Sequence, residues 1–174
     1  MLVRKYLERL QQSYTAFFDV YKNKTIASEV FDIYAYSRIK HQKYIGIKKF
    51  KVLEYENYEY CLVKLYADII SKKNIDVLIE CLKKSIDILV SPHFEHMSSV
   101  ITCVIISDKS ITECAINRVE KTKIARMFAF GFKGWCDVRI VLVDLKNNKI
   151  FCNKKGREIA DFYKPENILN TWDL

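Results

Sequence analysis

Val100-Ile101-Thr102-Cys103-Val104-Ile105-Ile106 is the stretch that decides the fold. It is apolar on both of its alternating faces, as a strand covered on two sides must be. Ser98 to Ser107 are therefore read as the central strand of a sheet. Just ahead of it stands the junction Ser91-Pro92-His93-Phe94-Glu95-His96-Met97, with two of the three histidines and the only proline before residue 165. Polar side chains suited to ligation thus gather at the mouth of the central strand.

Upstream of the junction, Ile75, Leu78, Ile79, Leu82, Ile86 and Leu89 mark the buried stripe of a helix over 74–90. Asn74 would cap it, and Ser91-Pro92 would end it, because the residue before proline is pushed out of the helical region. Residues 29–66 read as three strands of an antiparallel meander. The first sets Phe31, Ile33, Ala35 and Ile39 against Asp32, Tyr34, Tyr36, Arg38 and Lys40. The third sets Cys61, Val63 and Leu65 against Tyr58, Tyr60, Lys64 and Tyr66. A middle strand, about 43–55, has a broken alternation at Lys48-Lys49 that suggests a bulge or an edge. His41-Gln42 and Glu56-Asn57 are read as its short connections. At the N-terminus, Val3, Tyr6, Leu7, Leu10, Tyr14, Phe17, Phe18 and Tyr21 predict an amphipathic helix over 2–21.

Downstream, Ser110-Ile111-Thr112-Glu113 reads as a capping box opening a helix over 110–121. A strand follows over 124–132, with Arg126, Phe128, Phe130 and Phe132 on one face, and a turn between Gly131 and Gly134. Trp135 to Leu145 is an apolar strand interrupted by Asp137 and Arg139, joined to Ile150-Phe151 through a tight Asn147-Asn148 turn. Asn153 would cap a short helix over 154–163 that stops before Pro165. The expected fold is α+β: a largely antiparallel sheet of six to seven strands with helices packed on it, in the order αβββαβαβββα. One domain spans 1–164, with halves 1–97 and 98–164 sharing the sheet. Residues 165–174 form a tail that lies across the surface through Trp172.

Composition narrows the functional classes. The chain has 174 residues, half of them hydrophobic and 29% charged, which is globular rather than disordered. Its six cysteines, at 61, 81, 103, 114, 136 and 152, contain no Cys-x-x-Cys, and four of them sit in apolar helix or strand patterns. They read as reduced core residues of a cytoplasmic protein. No signal peptide and no run of about 18 apolar residues occurs, so no membrane partner is expected. The net charge of +8 favours contact with nucleic acid or another anionic surface.

Three constellations carry chemical interest. Tyr34, Tyr36, Arg38, Lys40, Tyr58, Tyr60, Lys64 and Tyr66 form one face of the meander, and Arg38 to Lys51 hold six cations and no carboxylate. Aromatics interleaved with cations on a sheet face can stack bases and neutralise phosphates. The plainer account is a face half-covered by a helix, with phenol groups reaching water. His93 and His96, three apart around Glu95, would share one side of a helical turn, but they miss both common zinc spacings and lack a third ligand. Asp137 and Arg139, two apart beside Trp135, must be paired or face a cavity. No glycine-rich phosphate loop, dinucleotide fingerprint or nucleophile elbow is present.

The order helix, three strands, helix, strand over 2–107 resembles the restriction-endonuclease-like core in topology alone. The Glu-x-Lys of that family's third strand is missing, since Glu59 is followed at that offset by Cys61. A second resemblance runs along most of the chain. Glu95-His96-Met97 before an apolar strand, then Gly134-Trp135 followed by Asp137-Val138-Arg139, resembles a family of small proteins of Gram-positive bacteria known only as a domain of unknown function. That resemblance implies an intracellular bacterial protein and assigns no activity.

Three functions fit these residues. The first is a non-enzymatic cytoplasmic binding or interaction module, with no cofactor, that meets a protein or an anionic ligand and is open to homo-oligomerisation. The second is a nucleic-acid-binding protein using Arg38, Lys40, Lys43, Lys48, Lys49 and Lys51 with Tyr34 and Tyr36. The third is a hydrolase or transferase centred on Glu95, His96, Asp137 and Arg139.

Overall fold

The computed structural model of the protein describes residues 2–43 and 53–170. Its elements are α1 (Leu2–Thr15), β1 (Asp19–Ile26), β2 (Glu29–Lys43), β3 (Leu53–Leu65), α2 (Lys72–Leu89), β4 (His96–Ser107), α3 (Glu113–Lys121), β5 (Ala125–Met127), β6 (Trp135–Asp144), β7 (Lys149–Cys152) and α4 (Pro165–Asn170). This is the order read from the sequence. All seven strands form one sheet, ordered β1-β2-β3-β4-β6-β5, with β7 also pairing with β6. Four pairings are antiparallel, and β3-β4 and β4-β6 are parallel. The sheet is thus mixed, mostly antiparallel, and parallel at its centre.

β4 is the central strand, because each parallel neighbour is reached through a helix, α2 from β3 and α3 towards β6. Helices cover both faces there, which is why Val100–Ile106 needs no polar side. One core forms between the sheet and α2 and α3. There Ile75, Leu78, Leu82 and Ile86 meet Leu62, Ile101, Cys103, Val138 and Ile140. The other forms beneath α1 and the C-terminal segment. Tyr6, Leu10 and Tyr14 meet Ile33, Ala35, Val63, Val104 and Val141, and Tyr163 and Ile168 close its edge. The Tyr6 hydroxyl donates to the Tyr163 carbonyl at 2.7 Å, tying the two chain ends together. Cys61, Cys81, Cys103 and Cys136 are free and buried, as small hydrophobes in these cores.

Several expected boundaries move. The N-terminal helix stops at Thr15 rather than residue 21, and Tyr21 belongs to the edge strand β1. Aromatic residues are weak helix formers, and Asp19–Ile26 gains a ladder of hydrogen bonds along β2. The meander is therefore β1-β2-β3. The expected middle strand at 43–55 does not separate its neighbours: β2 and β3 pair directly, from Ile33↔Val63 to Lys43↔Leu53. Residues 44–52 lie outside the described residues. His41-Gln42 and Glu56-Asn57 are strand residues, not connections. Phe31 leaves the aliphatic face and joins Tyr34 in the core under α2.

α2 begins earlier, at Lys72, because Ser71 is its N-cap and Asn74 is the reciprocating third residue of the capping box. Thr112, not Ser110, caps α3 by accepting from the Ala115 N–H at 3.3 Å. The expected strand over 124–132 is cut to three residues. Ala129 and Phe130 take positive φ (47° and 54°) and turn the chain out of the sheet. The expected helix over 154–163 is two short 3-10 turns. A helix starts, rather than stops, at Pro165, where φ suits the first turn and no N–H is needed. The expected tail is thus α4 as far as Asn170, with Pro165 and Ile168 buried, while Trp172 lies outside the described residues.

Candidate functional site

The face of β2 and β3 that carries Tyr34, Tyr36, Arg38 and Lys40 also carries Tyr60, Tyr58 and Glu56, because register pairs Tyr36 with Tyr60 and Arg38 with Tyr58. The C-terminal end of α2 covers half of it, and the Tyr60 hydroxyl donates to the Leu89 carbonyl at 2.7 Å. The uncovered half is a groove of about 420 Å³ lined by Tyr21, Tyr34, Tyr36, Tyr58, Tyr60, Lys24, Ile88, Leu89 and Ser91. Tyr34 and Tyr60 are buried and form its floor, while Tyr21, Tyr36 and Tyr58 keep ring surface open to solvent. Tyr36 lies stacked on Tyr58, with ring centroids 6.4 Å apart. The Lys24 ammonium sits 3.9 Å from the Tyr34 ring centroid and 5.4 Å from that of Tyr21. Burial pushes the Tyr34 hydroxyl pKa up to about 12, so that phenol stays a neutral donor through the physiological range.

At the end of the groove stands Glu56, whose side chain is 2% exposed. The Arg38 guanidinium grips it with two hydrogen bonds, one from Nε at 3.0 Å. The Tyr58 hydroxyl donates to it, the Lys40 ammonium lies at 3.2 Å, and His93 Nε2 lies at 3.5 Å. The Arg38 bonds, then that of Tyr58, hold the Glu56 carboxyl down to about 2. Burial and the Glu56 charge raise the Tyr58 hydroxyl to about 12. Two of the cations expected to meet nucleic acid, Arg38 and Lys40, thus already share one buried carboxylate. Lys48, Lys49 and Lys51 lie outside the described residues, and Lys43 ends β2.

His96 lies beside this cluster. β4 carries one extra residue at Met97, a bulge that moves register from Glu56↔His96 to Asn57↔Ser98. It places His96 and Ser99, three apart, on the tyrosine side of the sheet. The Lys133 carbonyl lies 2.6 Å from His96 Nδ1, and a carbonyl only accepts, so Nδ1 carries the proton. The Ser99 hydroxyl lies in hydrogen-bond contact with Nε2 at 2.8 Å. Both nitrogens are therefore occupied, and Ser99 is fully buried. The Tyr58, His93 and Phe128 rings surround His96 at centroid distances of 5.8, 6.0 and 5.9 Å. Gly134 completes the contact. Its φ is +77°, and a Cβ there would lie 2.3 Å from the Met97 carbonyl and 2.7 Å from His96 Nδ1.

Asp137 and Arg139 do not join this cluster. β4 and β6 are neighbours, but the two charges alternate with Val138 and Ile140 of the core under α2, so they face the opposite side of the sheet from His96. Asp137 pairs with Lys155 at 3.1 Å and Arg139 with Glu158 at 2.9 Å. Lys155 also reaches Glu158 at 3.6 Å, closing a chain of four charges that fastens the C-terminal segment to β6. Glu95 is an exposed residue whose backbone carbonyl accepts from the Glu56 N–H at 2.8 Å. The expected constellation of Glu95, His96, Asp137 and Arg139 is thus split across the sheet. For a metal, His93 and His96 gain no third ligand: among the described residues no group of three His, Cys, Asp or Glu side chains could hold one.

Sequence reasoning missed Glu56, Tyr21 and Lys24. The period-two run Tyr60, Tyr58, Glu56 carried the signal for the first; Tyr21 was hidden by the overlong helix, and Lys24 by the missed strand β1. Among the described residues no helix is long and apolar enough to cross a membrane.

Comparison with known proteins adds a family without an activity. No curated protein and no solved structure matches the chain. Residues 3–165 match the family described as a domain of unknown function, DUF8052, and that stretch includes the groove, the Glu56 cluster, the His96–Gly134 contact and the Asp137–Arg139 strand. The chain therefore belongs to the DUF8052 family.

Proposed function

We propose that the protein is a non-enzymatic cytoplasmic binding module whose ligand enters the tyrosine groove between β1-β2-β3 and the end of α2. The ligand class is an anion that carries flat rings, as in a nucleotide or a short single strand of nucleic acid. One observation carries this reading: five phenol rings from three adjacent strands line a single groove with Lys24 at its rim. The volume, about 420 Å³, falls in the usual small-ligand range of about 300–1,000 Å³. Exposed ring faces stack planar groups, the Tyr34 and Tyr36 hydroxyls supply directional donors, and Lys24, with no carboxylate partner among the described residues, supplies the charge. The split of His96 from Asp137 and Arg139 weighs against a hydrolytic centre, and the buried free thiols accord with a reducing compartment.

The test is a titration with a fluorescent nucleoside triphosphate and, separately, a fluorescent single-stranded oligonucleotide. The reading expects saturable binding of at least one probe, weakened by added salt. Tyr36→Ala should weaken it about tenfold, the scale of one lost stacking contact. Lys24→Ala should reduce the salt dependence. Saturation by neither probe, or equal affinity in both variants, would overturn it. A preference for the longer probe would favour nucleic acid over a free nucleotide.

A further inference from the structure

A second surface, independent of the groove, stands at the start of the parallel strands. Phe94, Met97, Met127, Phe130, Phe132 and Trp135 are all exposed there. Strand pairing and one turn gather them at this end of the sheet: Met127 pairs directly with Trp135, Trp135 pairs with Ser98, the residue after Met97, and Phe130 and Phe132 stand in the turn that joins Met127 to Trp135. The Lys133 ammonium lies 5.3 Å from the Phe94 ring centroid. Scattered apolar residues on a surface need no explanation, but a clustered aromatic patch does.

The turn that presents the patch is rigidly specified. The Phe128 N–H donates to the Gly134 carbonyl at 2.9 Å, and the Lys133 N–H donates back to the Phe128 carbonyl at 3.2 Å. His96 clamps the Lys133 carbonyl from below. Ala129 and Phe130 both sit in the left-handed region, which side chains with a Cβ disfavour. Phe130 gains no packing in return, because it is 98% exposed, and Phe132 is 81% exposed. Its conformation serves display rather than the core.

Charge identifies what the display meets. Residues 121–136 carry Lys121, Lys123, Arg126 and Lys133 and no carboxylate. Asp87 binds Arg126, and Glu95 is the only acidic residue of the junction beside the patch. We propose that this patch docks the protein on the surface of an anionic lipid bilayer. Phe130 and Phe132 enter the headgroup region and Lys133 meets lipid phosphate. Aromatic rings flanked by cations suit that interface, and the net charge of +8 draws the molecule to it. A second copy of the chain is disfavoured, since a two-fold contact centred on the patch would bring the two Lys133 ammonium groups together. The lack of a spanning helix among the described residues concerns crossing a bilayer, not lying on one.

Flotation with vesicles tests this. The full chain should float with phosphatidylcholine vesicles holding about a quarter phosphatidylglycerol, and far less with phosphatidylcholine alone. Phe130→Ser with Phe132→Ser should weaken partitioning about tenfold or more, with the melting temperature unchanged because both rings are already in water. Lys133→Glu should weaken it and flatten its salt dependence, and Tyr36→Ala in the groove should leave it intact. Equal partitioning by the double variant, or no preference for anionic vesicles, would overturn the proposal. So would a failure to float, and a dimer that the double variant dissolves would then assign the patch to self-association.

Discussion

Glu56 is a carboxylate almost sealed from water and held by Arg38, Lys40 and Tyr58. Replacing one member of such a cluster leaves the others unmatched. Arg38 and Lys40 can still reach solvent, so Glu56→Gln should destabilise the fold by about 1–3 kcal/mol, less than for a fully buried pair. Urea unfolding at neutral pH measures it. The pH dependence follows from a folded pKa of about 2 against an ordinary 4.5. A depressed carboxyl contributes stability above its unfolded value and loses it as pH falls through the folded one. Stability should therefore decline as pH drops from about 4.5 towards about 2, and Glu56→Gln should flatten that limb. Gly134→Ala should cost about 2–3 kcal/mol, because the new Cβ collides with the Met97 and His96 carbonyls as well as the His96 ring, at a φ that alanine resists. At this scale the tyrosine face was legible, since period two along Tyr34–Lys40 and Tyr58–Tyr66 sorts it directly. Glu56 was not, because a glutamate beside an asparagine reads as readily as a turn. Nor was the burial of Ser99 next to His96, which depends on the extra residue at Met97.

Among elements, the turn 128–134 depends most on a single side chain. His96→Ala removes the hydrogen bond to the Lys133 carbonyl and the ring on which Phe128 packs. Hydrogen exchange should then speed up across 128–134 while β4 beyond Ser99 stays protected, because local opening follows lost local contacts. At the other end of α2, Ser71→Ala should cost about 1 kcal/mol by removing the cap, measured as a lower urea midpoint. Helices α2 and α3 were legible because their apolar stripes face a core and their ends carry capping residues. β1 was hidden because its pattern is that of an exposed edge, with only Ile26 buried, while the aromatic spacing of α1 runs into it. The strand expected over 124–132 failed for a different reason. Phe128 packs on the core, whereas Phe130 and Phe132 stand exposed in a turn, and periodicity does not distinguish rings that meet solvent from rings that meet a core.

For the whole molecule, the αβββαβαβββα order came from local patterns, but the parallel centre did not follow from alternation alone. Two largely apolar strands, β4 and β6, with α2 ahead of the first and α3 between the two, were the available signal for it. Along that sheet, His96 and the Asp137–Arg139 pair stand on opposite faces of neighbouring strands. What remains on the His96 side is the row of tyrosines running from Glu56 to Lys24. The most direct measurement is a two-dimensional amide NMR titration with a nucleoside triphosphate and a short single-stranded oligonucleotide. If the groove is the ligand site, the shifted amides cluster at Tyr21, Lys24, Tyr34, Tyr36, Tyr58 and Leu89, and those of Asp137 and Arg139 stay in place. Shifts centred on Asp137, Arg139 and Lys155 instead, or no saturable shifts with either probe, would contradict the account.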